Sequence, residues 1–563
     1  MCSVSWLKGL GACALGVALV GCGATKRNGG APASEPMGQG GIGGAEQGSA
    51  GDASVNIADP GFLPVHRLTR EEYDNTTTDL LGTSARYGSN FPPDGNSGLP
   101  SDATQQSQIS PLLAAMYMQA SEELVREVFE TAELKQRVLT CQGASAGDEE
   151  CARLIITRFG RRAWRRPLEP EEVDQLLAHY QDALGALEKD HEGAVAHVMR
   201  IMLTSMKFVY LIEIDPDLQV AATQGRDLNG YELASRLSYA LWGAPPDEQL
   251  VELAASDELL EGEMLLSEAN RLLGDARSGY FTRAFLAQLL RVRTLSHHHF
   301  DPMFSQRRNE ELALAMTADS DAFMTTFALG GRPWSELLTA ELPAAPGLDD
   351  IYAGDPPGIR RGLLTLPAIL ASISLPDDGH SRAVRRGTFV MKRLFCEEMS
   401  LSPGVSVIHE PNLPPSTNPR EALEQYSSSA ACAACHDWID PIGFALDNFD
   451  AIGHYRTTWD SGDLIDTSGT WVAGGENIDE PAPRYSFSTL NELLPVLAAD
   501  ARLPRCASRK LLSYLVRRMP REQDEVFADA LGDEWASGDL RVLLGRLLES
   551  DVFRRRKLPE DAL

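Results

Sequence analysis

Cys432-Ala433-Ala434-Cys435-His436 sets two thiols three residues apart and an imidazole directly after them. On a helical turn this spacing brings both sulfurs to one side, within reach of the two vinyl groups of a haem, while the histidine projects under the ring toward iron. With 9 cysteines and 11 histidines in 563 residues, chance alone supplies only roughly 0.003 such motifs. A thioredoxin-like dithiol would need a βαβ surround, and none is visible. A zinc site would need a second ligand pair, and no other C-x-x-C exists. The motif therefore predicts one covalent haem c, attached at Cys432 and Cys435, with His436 as an axial ligand. Arg456 is a candidate partner for a haem propionate. The opposite axial position has six candidates, His380, Met391, Met399, His409, His454 and Met519, and together they favour a six-coordinate, low-spin iron.

The remaining cysteines speak of export. Leu10 to Val20 is a short apolar run after Lys8, followed by Leu19-Val20-Gly21-Cys22. A brief apolar run with small residues before the cut reads as a secretory signal, and a cysteine in this position as a lipidation site that anchors without spanning. Cys2 and Cys13 leave with the signal and Cys22 takes the lipid. Gly23, not Asp, follows Cys22, which by resemblance to other lipoproteins favours the outer membrane. Cys141, Cys151, Cys396 and Cys506 remain. An even remainder in an oxidising compartment reads as two disulfides with three possible connectivities. Cys141 and Cys151 flank one loop, so a local bridge is the simplest choice, which leaves Cys396 with Cys506.

Other groups carry weaker signals. His297-His298-His299 cannot all face one metal from a regular element, and an exposed loop is the better reading. The run Arg161 to Arg166 is expected to pair with carboxylates. Asp440, Asp447 and Asp450 lie near the motif; acid–base work is conceivable, but capping of turns after Pro441 and Gly443 is favoured. No G-x-S-x-G, P-loop or G-x-G-x-x-G stands in a strand–helix setting.

The elements that must position these residues read as helices. Val173, Leu176, Leu177, Tyr180, Leu184 and Leu187 recur at helical spacing behind Pro170, and Met116–Leu139 behaves likewise. Leu233, Leu237 and Leu241 form another stripe. Thr489 and Glu492 look like a capping box. Val542, Leu543, Leu544, Leu547 and Leu548 mark the last helix. The best strand signal is a small hairpin around Leu464–Val472 turning at Ser468-Gly469. Gly23–Pro60 holds ten glycines in 38 residues, with no Leu and no aromatic residue, and cannot bury enough apolar area to order itself, so it reads as a tether. The 51 Lys+Arg against 80 Asp+Glu leave a formal charge of −29, which argues against nucleic acid as a partner. The expected fold is mainly α, a multi-domain helical body with a C-terminal cytochrome c-like haem segment and one small β-hairpin. Its segments are a signal peptide at 1–21, a tether at 22–60, helical modules at 61–140, 141–215 and 226–356, a haem-bearing module at 357–480 and a C-terminal helical module at 481–563.

Five stretches resemble successive modules of a family of exported bacterial proteins, of planctomycete and myxobacterial type, built from domains of unknown function. They are His66-Arg67-Leu68-Thr69-Arg70-Glu71-Glu72-Tyr73 running to Gly82; Arg158-Phe159-Gly160 running to Leu168; Tyr231-Glu232-Leu233-Ala234-Ser235-Arg236-Leu237 running to Trp242; Cys435-His436 with Ile439-Asp440-Pro441 running to Asp450; and the segment around Cys506. The resemblance implies a mostly helical, exported, haem-c-associated protein and supplies no reaction. Two places depart from the pattern. Arg517-Arg518-Met519 stands where Gly-Arg is expected, and Gly379-His380-Ser381-Arg382 replaces a Ser-Pro type turn.

These readings converge on a lipid-anchored monohaem protein of the cell envelope, periplasmic or surface-facing. Its partners are the membrane, through the lipid, and a redox partner protein. Electron transfer or redox sensing leads. A haem-dependent oxidative enzyme on an extracellular organic substrate such as a polysaccharide, and an envelope scaffold with structural haem, are the alternatives. An open sixth position suits catalysis and a filled one electron transfer.

Overall fold

Leu124, Ile155, Tyr180 and Val198 fall on the inner faces of four helices, Pro111–Glu130, Glu149–Ala163, Pro170–Gly185 and His191–Thr204, and all four are buried. Local chemistry sets where these helices begin. The side chains of Ser110, Asp148 and Asp190 accept from the N–H groups of Leu113, Cys151 and Gly193, satisfying donors that the first turn leaves free. Pro170 occupies a first-turn position where its missing N–H costs nothing.

The computed structural model describes residues 60–61, 65–94, 108–141, 148–290, 295, 309–342, 345–374, 383–398, 418–428, 430–473 and 482–558, all within the unit Val55–Leu563. The fold is mainly α with small antiparallel strand pairs. One core gathers side chains between Leu68 and Tyr210 with Tyr239. A larger one runs from Leu228 to Phe553 around the fully buried Trp242, Trp334 and Trp471. His66–Arg67 pairs with Tyr210–Leu211, and Arg226–Asp227 with Arg555–Arg556. The second pair returns the C-terminal end to the middle of the chain. Disulfides join Cys141 to Cys151 and Cys396 to Cys506, with Cα separations of 5.9 and 5.3 Å. No helix among the described residues is long and apolar enough to cross a membrane.

Several local expectations need correction. The apolar run after Met116 is two helices, Pro111–Glu130 and Ala132–Val138, separated at Thr131. Leu187 lies beyond the end of its helix and is 50% exposed, and Val542 is 55% exposed on the outer side of Leu540–Glu549. A further short helix, Asp551–Arg554, comes after that one. Thr489 makes no side-chain cap; the Glu492 carboxylate reaches the Ser488 N–H instead. The hairpin does not turn at Ser468-Gly469. Gly469–Val472 is itself a strand, paired with Arg484–Phe487, because that register buries Trp471 beneath Tyr485.

Candidate functional site

Helix Ala430–Ala445 carries the Cys-x-x-Cys-His motif in its first two turns. Ile439, Ile442 and Ala445 turn one face into the larger core. His436, Asp440 and Phe444 recur at intervals of four residues, the register of a neighbouring face. His436 and Asp440 meet there, with Nδ1 2.9 and 3.0 Å from the two carboxylate oxygens. Burial pushes the Asp440 carboxyl above its ordinary range, and the His436 contact offsets part of that. Cys435 is a free, half-buried thiol.

Glycine sets the position of this helix. It crosses Ala383–Phe389 so closely that a Cβ on Gly387 would lie 1.9 Å from the Ile439 carbonyl oxygen, and one on Gly443 2.1 Å from that of Ala383. Fully buried Arg386 fastens the C-terminal end of the motif helix and the turn beyond it, donating to the carbonyls of Leu446 (2.6 Å) and Asp450 (2.8 Å). Its guanidinium is lowered to about 10 by burial. Asp447 lies 3.8 Å from it. Asp450 accepts from the N–H groups of Ile452, Gly453 and His454 and from His454 Nδ1. Burial would raise that carboxyl, but these bonds hold it below its ordinary range. Asp450 therefore caps a turn as expected. Asp440 does not; its partner is His436.

A cavity of about 260 Å³ opens against His436, Asp440 and Phe444. Its other walls come from Arg420 and Glu424 on helix Pro419–Ser427, from the strand Gly469–Val472, and from Arg484. Arg420 lies over the Phe444 ring at 4.6 Å and donates to the carbonyls of Asp466 and Ser468. Arg456, the cation expected here, is elsewhere: it lies over Trp459 and reaches back to the Asp447 carbonyl. The two arginines at the cavity leave no signal in the motif because they arrive from outside it, on a preceding helix and on the far strand of the hairpin.

Three of the six axial candidates are placed away from this cavity. Met391 is core, His454 is tied to Asp450, and Met519 is 60% exposed. His380, Met399 and His409 lie outside the described residues, as do Cys22 and His297-His298-His299. The arginine run pairs largely as expected, Arg161 with Glu248, Arg162 with Asp79 and Arg166 with Glu172. Arg165 departs from this and takes the carbonyls of Lys207, Phe208 and Tyr210.

Comparison with family models finds four consecutive matches. They are PSD3, a protein of unknown function (DUF1587), over residues 66–130; PSD5 (DUF1595) over 151–213; PSD4 (DUF1592) over 228–352; and PSCyt3 (DUF1588) over 360–459, the last two also described as proteins of unknown function, like PSD5. No curated protein and no solved structure matches the chain. Between residues 66 and 459 the chain is thus similar, module by module, to four domains of unknown function arranged in tandem.

Proposed function

We propose that this is a lipid-anchored monohaem c-type protein of the cell envelope that passes electrons or senses redox state. The observation that carries the reading is the pairing of His436 Nδ1 with Asp440 directly after a helical Cys-x-x-Cys. A ring nitrogen held by a carboxylate fixes the tautomer and aims Nε2, the arrangement that metal-ligating histidines adopt. The name of the module that contains the motif, PSCyt3, agrees with a cytochrome-like role.

The residues present suit the group. Cys432 and Cys435 would hold the vinyl carbons as thioethers, and His436 would supply one axial nitrogen. Arg420 and Arg484 line the same cavity and would face the propionates, with Phe444 as an apolar wall. Haem bound there supplies one-electron chemistry. Asp440 makes the imidazole a stronger donor, which favours the oxidised state of whatever metal His436 holds. Leu19-Val20-Gly21-Cys22 and the glycine-rich stretch after it support the anchor and tether.

Two measurements test this. Protein made with a cytochrome c maturation system should titrate reversibly through a single one-electron step, and Asp440→Asn should raise its potential. Rapid turnover of peroxide without a reversible step would favour the oxidative enzyme instead. For the anchor, the wild type should fractionate with membranes and Cys22→Ser should carry no lipid. An unmodified N-terminus produced by a different cut would contradict it.

A further inference from the structure

The disulfide Cys141–Cys151 is surrounded by groups that bear on sulfur chemistry. Cys151 stands in the first turn of helix Glu149–Ala163, where its N–H donates to the Asp148 side chain. His191 opens helix His191–Thr204, and its Nε2 lies 4.0 Å from Cys151 Sγ. The Tyr180 hydroxyl sits 2.7 Å from the other ring nitrogen, Nδ1. Cys151, His191 and Tyr180 are buried. Cys141 is only half-buried, which makes it the accessible end of the bond.

These groups suit a thiolate on Cys151. The helix N-terminus presents the positive end of a macrodipole to it. A Tyr180 hydroxyl that donates to Nδ1 leaves the ring proton on Nε2, the nitrogen that faces the sulfur, and an N–H donor there favours an anion. Glu149 and Glu150 share the first turn but are exposed, where solvent screens their charge. A thiol stabilised as its anion is the better leaving group in thiol–disulfide exchange. Cys396–Cys506 offers a contrast. Cys506 Sγ lies 3.5 Å from the Arg393 carbonyl oxygen, an acceptor that disfavours negative charge. That bridge closes a sequence separation of 110 against 10 here, so opening the Cys141–Cys151 bond releases only a local constraint.

We infer that Cys141–Cys151 is a thiol–disulfide exchange site that takes two electrons from a dithiol reductant. The thiolate of the reductant attacks Cys141 Sγ, the new S–S bond replaces the bond to Cys151, and the electron pair leaves on the Cys151 sulfur beside His191. The second thiol of the reductant then displaces Cys141. The reductant ends as a disulfide and this chain as a dithiol, with two electrons and two protons transferred. No haem takes part, so the site stands apart from the reading above. The test is native full-length protein incubated with dithiothreitol, quenched with an alkylating reagent and mapped by mass spectrometry. Cys141–Cys151 should be reduced at least tenfold faster than Cys396–Cys506. Glutathione, a monothiol, should leave its mixed disulfide on Cys141 and Cys151 free. His191→Phe, which keeps a ring but removes both nitrogens, should slow reduction of Cys141–Cys151 at least tenfold, and Tyr180→Phe should slow it by less. Loosened packing would instead speed both bridges, so the sign separates lost thiolate stabilisation from damage to the fold. Should His191→Phe fail to fold, Tyr180→Phe decides by the same sign. Equal rates for the two bridges, a mixed disulfide on Cys151, or reduction in the variants as fast as in wild type would overturn the assignment.

Discussion

Gly443→Ala and Gly387→Ala are each expected to destabilise the protein by about 3 kcal/mol or more. The added Cβ atoms would stand 2.1 Å from the Ala383 carbonyl oxygen and 1.9 Å from that of Ile439. Both obstacles are backbone atoms, which cannot rotate aside as a flexible side chain would. Relief requires the helices Ala383–Phe389 and Ala430–Ala445 to move apart, and that opens the packing around Ile439 and Ile442. Gly185 is the control. It ends its helix with nothing within 4 Å of a built Cβ, so Gly185→Ala should be neutral or stabilise by about 0.5–1 kcal/mol. Urea midpoints for the three variants decide the matter. A Gly443→Ala midpoint equal to that of wild type would refute the close crossing.

Glu72→Ala should cost about 3–5 kcal/mol, because it strands a buried guanidinium rather than merely deleting a contact. Burial alone would raise the Glu72 carboxyl, but the Arg517 charge and the His66 hydrogen bond outweigh it and hold the group far below its ordinary range. His66 sets the pH dependence. Its folded value of about 4 lies below the ordinary 6.5, so between these limits the unfolded chain binds a proton that the native state refuses. The stability tied to neutral His66 is fully present above pH 6.5 and is lost progressively as pH falls toward 4, on the order of 3 kcal/mol in all. Denaturation at pH 7 and pH 4.5 should show this loss in wild type and a smaller one in His66→Gln. Identical pH slopes for the two proteins would remove His66 from the account.

Local spacing and cysteine arithmetic carry the part of the fold that is legible in the sequence. Helical stripes such as Leu233, Leu237 and Leu241 are buried as read, since a period of 3.6 marks the face whatever lies opposite. Both disulfides form as the parity of the remaining cysteines suggests. The errors lie where a residue's partner is distant. The turn at Ser468-Gly469 fails because Trp471 finds Tyr485 in a strand whose alternation is weak. Arg456 is the cation nearest the motif in sequence, yet Arg420 and Arg484 reach the cavity through tertiary packing. Asp440 reads as a turn cap because Pro441 comes next, but the helix runs through Pro441 and frees the carboxylate for His436. Gly387 and Gly443 give no signal, since a glycine inside a helix declares nothing until the neighbouring backbone is known.

The central claim is covalent haem at Cys432 and Cys435 with His436 beneath it, and haem staining on a denaturing gel tests it most directly. Full-length protein produced with a cytochrome c maturation system should retain the stain after boiling in detergent. Cys432→Ala combined with Cys435→Ala should lose it entirely, while Arg484→Ala should keep it. An unstained wild-type band, or staining that survives the double substitution, would contradict the claim.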